Sequence, residues 1–185
     1  LTSLDYKIGV NPAATATASI LNGDVDLTLT GAPAATNTIT TGDGSDIIIA
    51  GSEADIIIAG NGNNTIGVAA GANAVTTGSG NDAVVGGANT DIIIAGAGNN
   101  TINVAAGSNT IISLGGTDII ITTGGTDIVN AGDGINTVNL GAGANTLTVG
   151  SGNDIIVTGA NTDIIIAGAG NNTIYAAAGS NTIIS

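Results

Sequence analysis

The sequence lacks most of the side chains that enzymes and nucleic-acid-binding proteins use. Its 185 residues include no Cys, His, Met, Trp or Phe, and one basic residue, Lys7, stands against fourteen acidic ones. Without an imidazole, a thiolate or a guanidinium group we expect neither catalysis nor a small-molecule substrate. The formal net charge of −13 argues against nucleic acid as a partner, because phosphate binding requires a cationic surface.

Long hydrophobic runs are also missing. The purely aliphatic runs are tripeptides such as 47–49, far shorter than the ~20 apolar residues of a spanning helix. We therefore predict no membrane span. Disulfide bonds are excluded because the sequence has no Cys.

What the sequence does contain is glycine, 31 residues of it, and an internal repeat. Segments 86–113 and 158–185 differ at only three of 28 positions, and their offset of 72 residues is a multiple of nine. A nine-residue frame fits 41–184 as sixteen nonamers without insertion or deletion, and a weaker nonamer precedes them at 32–40. The repeat unit is therefore a nonamer.

The columns of this frame separate turn from strand. Position 8 is aliphatic in all sixteen nonamers, whereas positions 7 and 9 vary, which is the period of two of a short strand. Position 4 is Gly in thirteen nonamers and position 2 is Gly in eleven, a spacing typical of turns with positive φ angles. Position 6 is Asp eight times and Asn eight times, and both residues favour turns.

This pattern predicts an all-β fold, a parallel β-roll (β-solenoid) with two nonamers per coil and about eight coils. Its core would hold one aliphatic side chain per nonamer, and its length would be roughly 40 Å. We assign residues 32–185 to the solenoid and residues 1–31 to an N-terminal cap or strand-donor segment. Within the latter, residues 24–30 alternate as a strand with Val25, Leu27 and Leu29 facing inward.

The nonamer resembles the RTX repeat, GGxGxDxUx, of calcium-bound parallel β-rolls. The nearest matches are Gly42–Asp46, Gly78–Asp82 and Gly150–Asp154, and the resemblance covers about 80% of the chain. It implies a secreted protein whose cofactor is calcium, taken up by the turns as the chain folds. The family includes toxins, proteases, lipases, adhesins, ice-binding proteins and S-layer proteins, so the repeat alone does not define one activity.

The sequence departs from the family in an ordered way, because position 6 runs Asp, Asp, Asn, Asn and then repeats. With two nonamers per coil, Asp and Asn alternate along each edge of the roll. For the edge that we call edge one, the resemblance implies carboxylate and amide ligands from Asp46, Asn64, Asp82, Asn100, Asp118, Asn136, Asp154 and Asn172. For the opposite edge, edge two, it implies Asp55, Asp91, Asp127 and Asp163.

Edge one is predicted to be the better calcium edge, because its turns keep the form GxGx[DN] in seven of eight cases. On edge two, Glu53, Asn89 and Asn161 replace the position-4 Gly. The alternative is that Asp and Asn serve only as turn formers, with stacked Asn side chains in hydrogen-bonded ladders.

The leading functional hypothesis is a non-enzymatic structural protein, secreted or displayed at the cell surface. After the last complete nonamer only Ser185 follows, so we expect that end to be covered by further chain or by another subunit. Head-to-tail stacking of identical rods would give a homo-oligomeric filament or surface layer (S-layer). The alternatives are an RTX folding or spacer module of a larger secreted adhesin, toxin or enzyme, and an ice-binding solenoid using outward threonines such as Thr101, Thr137, Thr146 and Thr148.

Overall fold

The computed structural model describes residues 4–7, 16–20 and 26–185, and these form twenty short strands. Within these ranges the chain forms no helix, and so has none long and apolar enough to span a membrane. In chain order the strands are β1 (Leu4–Lys7), β2 (Ala16–Ile20), β3 (Leu27–Thr30), β4 (Asn37–Thr41), β5 (Ile47–Ile49), β6 (Ile56–Ile58), β7 (Thr65–Gly67), β8 (Ala74–Thr76), β9 (Ala83–Gly86), β10 (Ile92–Ala97), β11 (Thr101–Val104), β12 (Thr110–Gly115), β13 (Ile119–Thr122), β14 (Ile128–Asn130), β15 (Thr137–Asn139), β16 (Thr146–Thr148), β17 (Ile155–Val157), β18 (Ile164–Ile166), β19 (Thr173–Tyr175) and β20 (Thr182–Ile184).

The strands divide into two sheets according to their order in the chain. Odd-numbered strands make one ten-stranded sheet and even-numbered strands make the other, and neighbouring strands in each sheet are parallel. The chain therefore crosses from one sheet to the other after every nonamer, which confirms the predicted β-roll with two nonamers per coil. Strands β1 to β4 extend the sheets beyond the sixteen nonamers, and ten strands at ~4.8 Å give a length of roughly 43 Å.

A constant register stacks equivalent residues of successive coils. Ile48 pairs with Ile66 and Ile66 pairs with Val84, each eighteen residues further along the chain. The position-8 side chains therefore form one continuous aliphatic column per sheet, and from Ile48 to Ile165 each is at most 1% exposed. This column is the buried stripe that the sequence predicted.

The core is thicker than one aliphatic side chain per nonamer, so that expectation was incomplete. Position 1, at the end of each strand or directly after it, also faces inward, as at Val68, Val104, Leu140 and Val149. The reason is that the strand alternation continues past position 9, which places positions 6, 8 and 1 on the inner side and positions 7 and 9 outside. Three inward columns therefore run along each sheet.

Glycine is required in the turns by both conformation and space. Gly62 has a φ of 110°, and a Cβ built on it would collide with the carbonyl of Gly44 in the coil before. Edge two places non-glycine residues at two such positions, Asn89 with a φ of 84° and Asn161 with a φ of 99°. Asn tolerates this left-handed region better than most residues do, so the turn is kept there.

The N-terminal strand predicted at residues 24–30 is confirmed over Leu27–Thr30, where Leu27 and Leu29 are buried. Val25 lies outside the described residues. The described parts of residues 1–31 continue both sheets in parallel: β1 pairs with β3, β3 pairs with the repeat strand β5, and β2 pairs with β4. The role of this segment as a cap or strand donor stays a prediction.

Candidate metal site in the Asp and Asn turns

The Asp and Asn side chains of position 6 point into the roll. From Asp46 to Asp163 every member of this column is at most 2% exposed, and only Asn172 and Asn181 in the last coil are half-buried. The sequence predicted turn residues at the edges and gave no sign that their carboxylates would be buried. Eight carboxyl groups therefore lie in the interior of the described chain.

One oxygen of each of these side chains is held by the preceding coil. The backbone N–H of residue 27, 37 or a position-6 residue donates to the Oδ1 atom of the position-6 residue one coil later. Examples are Asn64 N to Asp82 Oδ1 at 2.8 Å and Asp82 N to Asn100 Oδ1 at 3.0 Å. The sixteen bonds of this kind, 2.7–3.0 Å long, form two buried ladders that fix every side chain of the column in one orientation.

In the Asn turns the second side-chain atom closes the turn. Asn64 Nδ2 donates to the carbonyls of Gly60 and Gly62, which lie four and two residues earlier in the same turn, both at 3.1 Å. The amide nitrogens of Asn73, Asn100, Asn109, Asn136 and Asn145 donate to the equivalent pairs of carbonyls. These Asn turns satisfy their own buried polar groups.

In the Asp turns the equivalent atom has no partner. The Oδ2 atoms of all eight position-6 aspartates are buried without a hydrogen bond to the chain: Asp46, Asp55, Asp82, Asp91, Asp118, Asp127, Asp154 and Asp163. Because the same backbone hydrogen bond holds Oδ1 in Asp and in Asn, Asp Oδ2 corresponds to the amide nitrogen of the Asn turns. The partners of that nitrogen are carbonyl oxygens, which accept hydrogen bonds but cannot donate one to a carboxylate. A buried unpaired carboxylate is costly unless a cation or a proton compensates it.

Burial raises the pKa of three of these carboxyl groups above the ordinary value. Desolvation is the dominant cause at Asp91, Asp118 and Asp154, and hydrogen bonds from Asn73, Asn100 and Asn136 respectively oppose it. The exposed Asp133 behaves in the opposite way, because the backbone N–H and the hydroxyl of Ser151 lower its pKa. The inner carboxyl groups therefore lie in surroundings that disfavour an uncompensated negative charge.

The chemistry of the Asp turn fits calcium. Calcium binds oxygen ligands, and a turn of this shape offers the Asp Oδ2 atom together with the two carbonyls that Asn would bond. No group of three or more acidic side chains comes together in residues 4–7, 16–20 and 26–185, so a bound ion would meet at most two carboxylates. The remaining ligands of a bound ion must then be backbone carbonyls, hydroxyls or water. When bound, calcium would neutralise the buried carboxylate.

The Asn residues predicted as ligands on edge one are arranged differently. The Oδ1 atoms of Asn64, Asn100, Asn136 and Asn172 accept a backbone N–H, and the amide nitrogens of the first three point at the turn carbonyls. Asn172 Nδ2 donates to Ala167 O at 2.6 Å. A role for these Asn residues in binding a metal stays a prediction, but their amide oxygens already have a donor.

The two edges differ on their outer side and in one detail of the buried column: on edge two the amide nitrogens of Asn73 and Asn109 also donate to the Oδ1 atoms of Asp91 and Asp127 at 3.0 Å. On edge one a second, exposed ladder runs along the turns, with Asn99 N donating to Asn81 Oδ1 at 2.8 Å and Asn81 N donating to Asn63 Oδ1 at 2.7 Å. Edge two has the same unpaired Asp Oδ2 atoms as edge one. The preference for edge one as the calcium edge therefore stays a prediction.

Fold and turns together define a parallel β-roll whose Asp turns have the composition of calcium sites. The family described as RTX calcium-binding nonapeptide repeat (4 copies) matches the chain at residues 34–66, 69–102, 94–129, 104–138, 121–156, 130–165 and 157–185. These matches span well over half of the sequence, and the chain belongs to this family of calcium-binding repeats. No curated protein and no solved structure shows significant similarity to it.

Proposed function

We propose that this chain is a secreted, non-enzymatic structural protein whose β-roll is stabilised by calcium and assembles into a fibre or surface layer. The proposed stabilisation by calcium rests on one observation: eight Asp Oδ2 atoms are buried without a hydrogen-bond partner. RTX β-roll repeats are generally non-catalytic and typically belong to secreted proteins, which supports the structural role. Calcium would bind the unpartnered carboxylate oxygens of the Asp turns, whereas the amide nitrogens of the Asn turns already donate to turn carbonyls.

One feature of the described residues supports assembly. The sheet faces carry outward isoleucines, such as Ile47 and Ile119 on one face and Ile56 and Ile128 on the other, and exposed apolar groups of this kind favour association.

The direct test is electron microscopy of the native protein with and without a calcium chelator, together with its intact mass. The proposal expects rods joined end to end in calcium and their loss after chelation. Monomers in calcium at the full native mass would overturn the fibre. A much larger native mass would instead favour the module of a longer adhesin, toxin or enzyme. An assembly unchanged by chelation would leave Asp and Asn with a purely structural role.

The ice-binding alternative has less support. On the second sheet the outward position 7 alternates between isoleucine and threonine, as at Ile92, Thr110, Ile128 and Thr146. Over the described coils the outward threonines therefore do not form an unbroken array. A measurement of thermal hysteresis tests this alternative directly.

A further inference from the structure

The inward residue at position 1 follows the identity of position 6. In the eight Asp nonamers position 1 is Ser or Thr five times, and in the eight Asn nonamers it is Ala, Val or Leu throughout. The hydroxyl residues are Thr41, Thr77, Ser113, Thr122 and Thr158, which precede Asp46, Asp82, Asp118, Asp127 and Asp163 by five residues. Among the residues that the structure describes, buried Ser and Thr side chains thus occur only in turns that carry a buried carboxylate.

The two positions face each other inside the turn. Gly86 stands at position 1 of the Asp91 nonamer, and a Cβ built on Gly86 would lie 3.0 Å from Asp91 Oδ2. A side chain at position 1 therefore starts beside the carboxylate oxygen that has no partner. The five hydroxyl residues are at most 5% exposed, so water does not reach them freely.

These hydroxyl groups have bonding capacity to spare. Thr41 Oγ1 and Thr158 Oγ1 are buried without any partner in the chain. The other three accept one distant hydrogen bond each: Thr77 Oγ1 from Gly96 N at 3.4 Å, Thr122 Oγ1 from Gly141 N at 3.3 Å and Ser113 Oγ from Asn100 Nδ2 at 3.2 Å. Each still has its own proton to donate and a lone pair to offer.

We propose that the position-1 hydroxyl is a cation-binding element of five Asp turns and divides the eight Asp turns into two classes. The hydroxyl class comprises Asp46, Asp82, Asp118, Asp127 and Asp163, and the bare class comprises Asp55, Asp91 and Asp154, whose position-1 residues are Ala50, Gly86 and Val149. In the hydroxyl class a neutral oxygen beside Oδ2 adds a ligand for calcium, an ion that takes six to eight oxygens. This inference rests on the calcium binding proposed above.

The proposed classes do not coincide with the two edges. Asp127 and Asp163 lie on edge two but have a hydroxyl, whereas Asp154 lies on edge one and has none. A ranking of the turns by hydroxyl therefore differs from a ranking by turn sequence. Asp127 and Asp154 distinguish the two rankings: the hydroxyl ranking expects tighter calcium binding at Asp127, and the turn-sequence ranking expects it at Asp154.

The test uses full-length protein and equilibrium dialysis with radioactive calcium. A combined variant, T41V, T77V, S113A, T122V and T158V, removes all five hydroxyl groups at almost constant shape. We expect its mean calcium Kd to be about two- to tenfold weaker, the size of one hydrogen-bond-type interaction. Terbium luminescence lifetimes in H2O and D2O supply a second readout, since water replacing the lost hydroxyl raises the mean hydration of the bound ion.

A gain of binding guards against simple destabilisation. Val149→Thr adds a hydroxyl to the bare Asp154 turn and should tighten calcium binding, whereas Val104→Thr adds one to the Asn109 turn and should leave calcium binding unchanged. Circular dichroism in saturating calcium checks that each variant is folded. Wild-type affinity and hydration in the combined variant, or equal effects of V149T and V104T, would overturn the inference. Failure of the wild-type protein to bind calcium would instead overturn the proposed function.

Discussion

Replacing Asp82 by Asn should stabilise the calcium-free protein, which is the reverse of the usual cost of altering a buried residue. The Asp82 turn, Gly78-Ser79-Gly80-Asn81, has the same form as the Asn64 and Asn100 turns on the same edge. Gly80 and Gly98 have nearly the same φ, 134° and 137°. The new amide nitrogen should therefore donate to the carbonyls of Gly78 and Gly80, as Asn100 Nδ2 donates to those of Gly96 and Gly98.

The expected gain follows from the atoms involved. Asp82 Oδ2 is buried without a partner, which costs about 1–3 kcal/mol, and two new hydrogen bonds contribute about 0.5–1.5 kcal/mol each. The total is about 2–6 kcal/mol, or roughly 4–24 °C in the midpoint of thermal unfolding for a chain of this length. In calcium the stability advantage of D82N over wild type should shrink, because the variant has lost one calcium site. Its calcium stoichiometry should fall by one.

Thermal unfolding followed by circular dichroism, with chelator and with calcium, measures both effects. Asp43→Asn is the matched control, since it removes the same charge from an exposed turn position whose Oδ1 acceptor is retained. Its effect should stay within about 0.5 kcal/mol. A D82N protein that unfolds at lower temperature than wild type in chelator, while D43N is unchanged, would refute the assignment of Oδ2 as an uncompensated atom.

Three further predictions address the same turns. Asn64→Asp should destabilise the calcium-free protein by about 2–6 kcal/mol, with calcium restoring the loss, because it exchanges two donated hydrogen bonds for an unpaired oxygen. Denaturant midpoints with and without calcium test this, and equal losses in both would contradict it. The metal-free protein should lose stability as pH rises from the ordinary Asp pKa of 3.8 through the raised pKa values of Asp91, Asp118 and Asp154. The reason is that the folded chain holds more protons than the unfolded chain over this range. Thermal unfolding in chelator tests the sign, and a melting temperature that increases with pH over this range would be inconsistent with it. Gly62→Ala should cost at least about 2 kcal/mol through its φ of 110° and its collision with the Gly44 carbonyl of the preceding coil, whereas Gly67→Ala, which meets open space, should be tolerated. Unfolding of the two variants measures the difference, and similar losses in both would argue against the packing reason.

Much of the fold could be predicted because the repeat determines both the inward residues of each strand and the stacking of successive strands. The nonamer places an aliphatic residue at every position 8, and the parallel register then brings Ile48, Ile66 and Val84 into one column. The strand with Leu27 and Leu29 inward was equally visible, because alternation needs no tertiary information.

The interior of the turns could not be read in the same way. Asp and Asn have nearly the same shape, so a sequence cannot show which side-chain atom faces the carbonyls of the turn. The inward position 1 was missed because its mixture of Thr, Ser, Gly, Ala and Val does not look like a core column. Its pairing with Asp is visible in the sequence once position 1 is known to be buried.

The direction of the buried ladder has a consequence for how the protein is made. Each position-6 backbone N–H is satisfied by a side chain that arrives eighteen residues later, as Asn100 N is by Asp118 Oδ1 at 2.7 Å. A chain that emerges with its N-terminus first can therefore form a given hydrogen bond of the ladder only when the following coil has been synthesised or exported. Folding of the roll should then be vectorial: every new coil finishes its predecessor and presents the next unfinished rung to its successor.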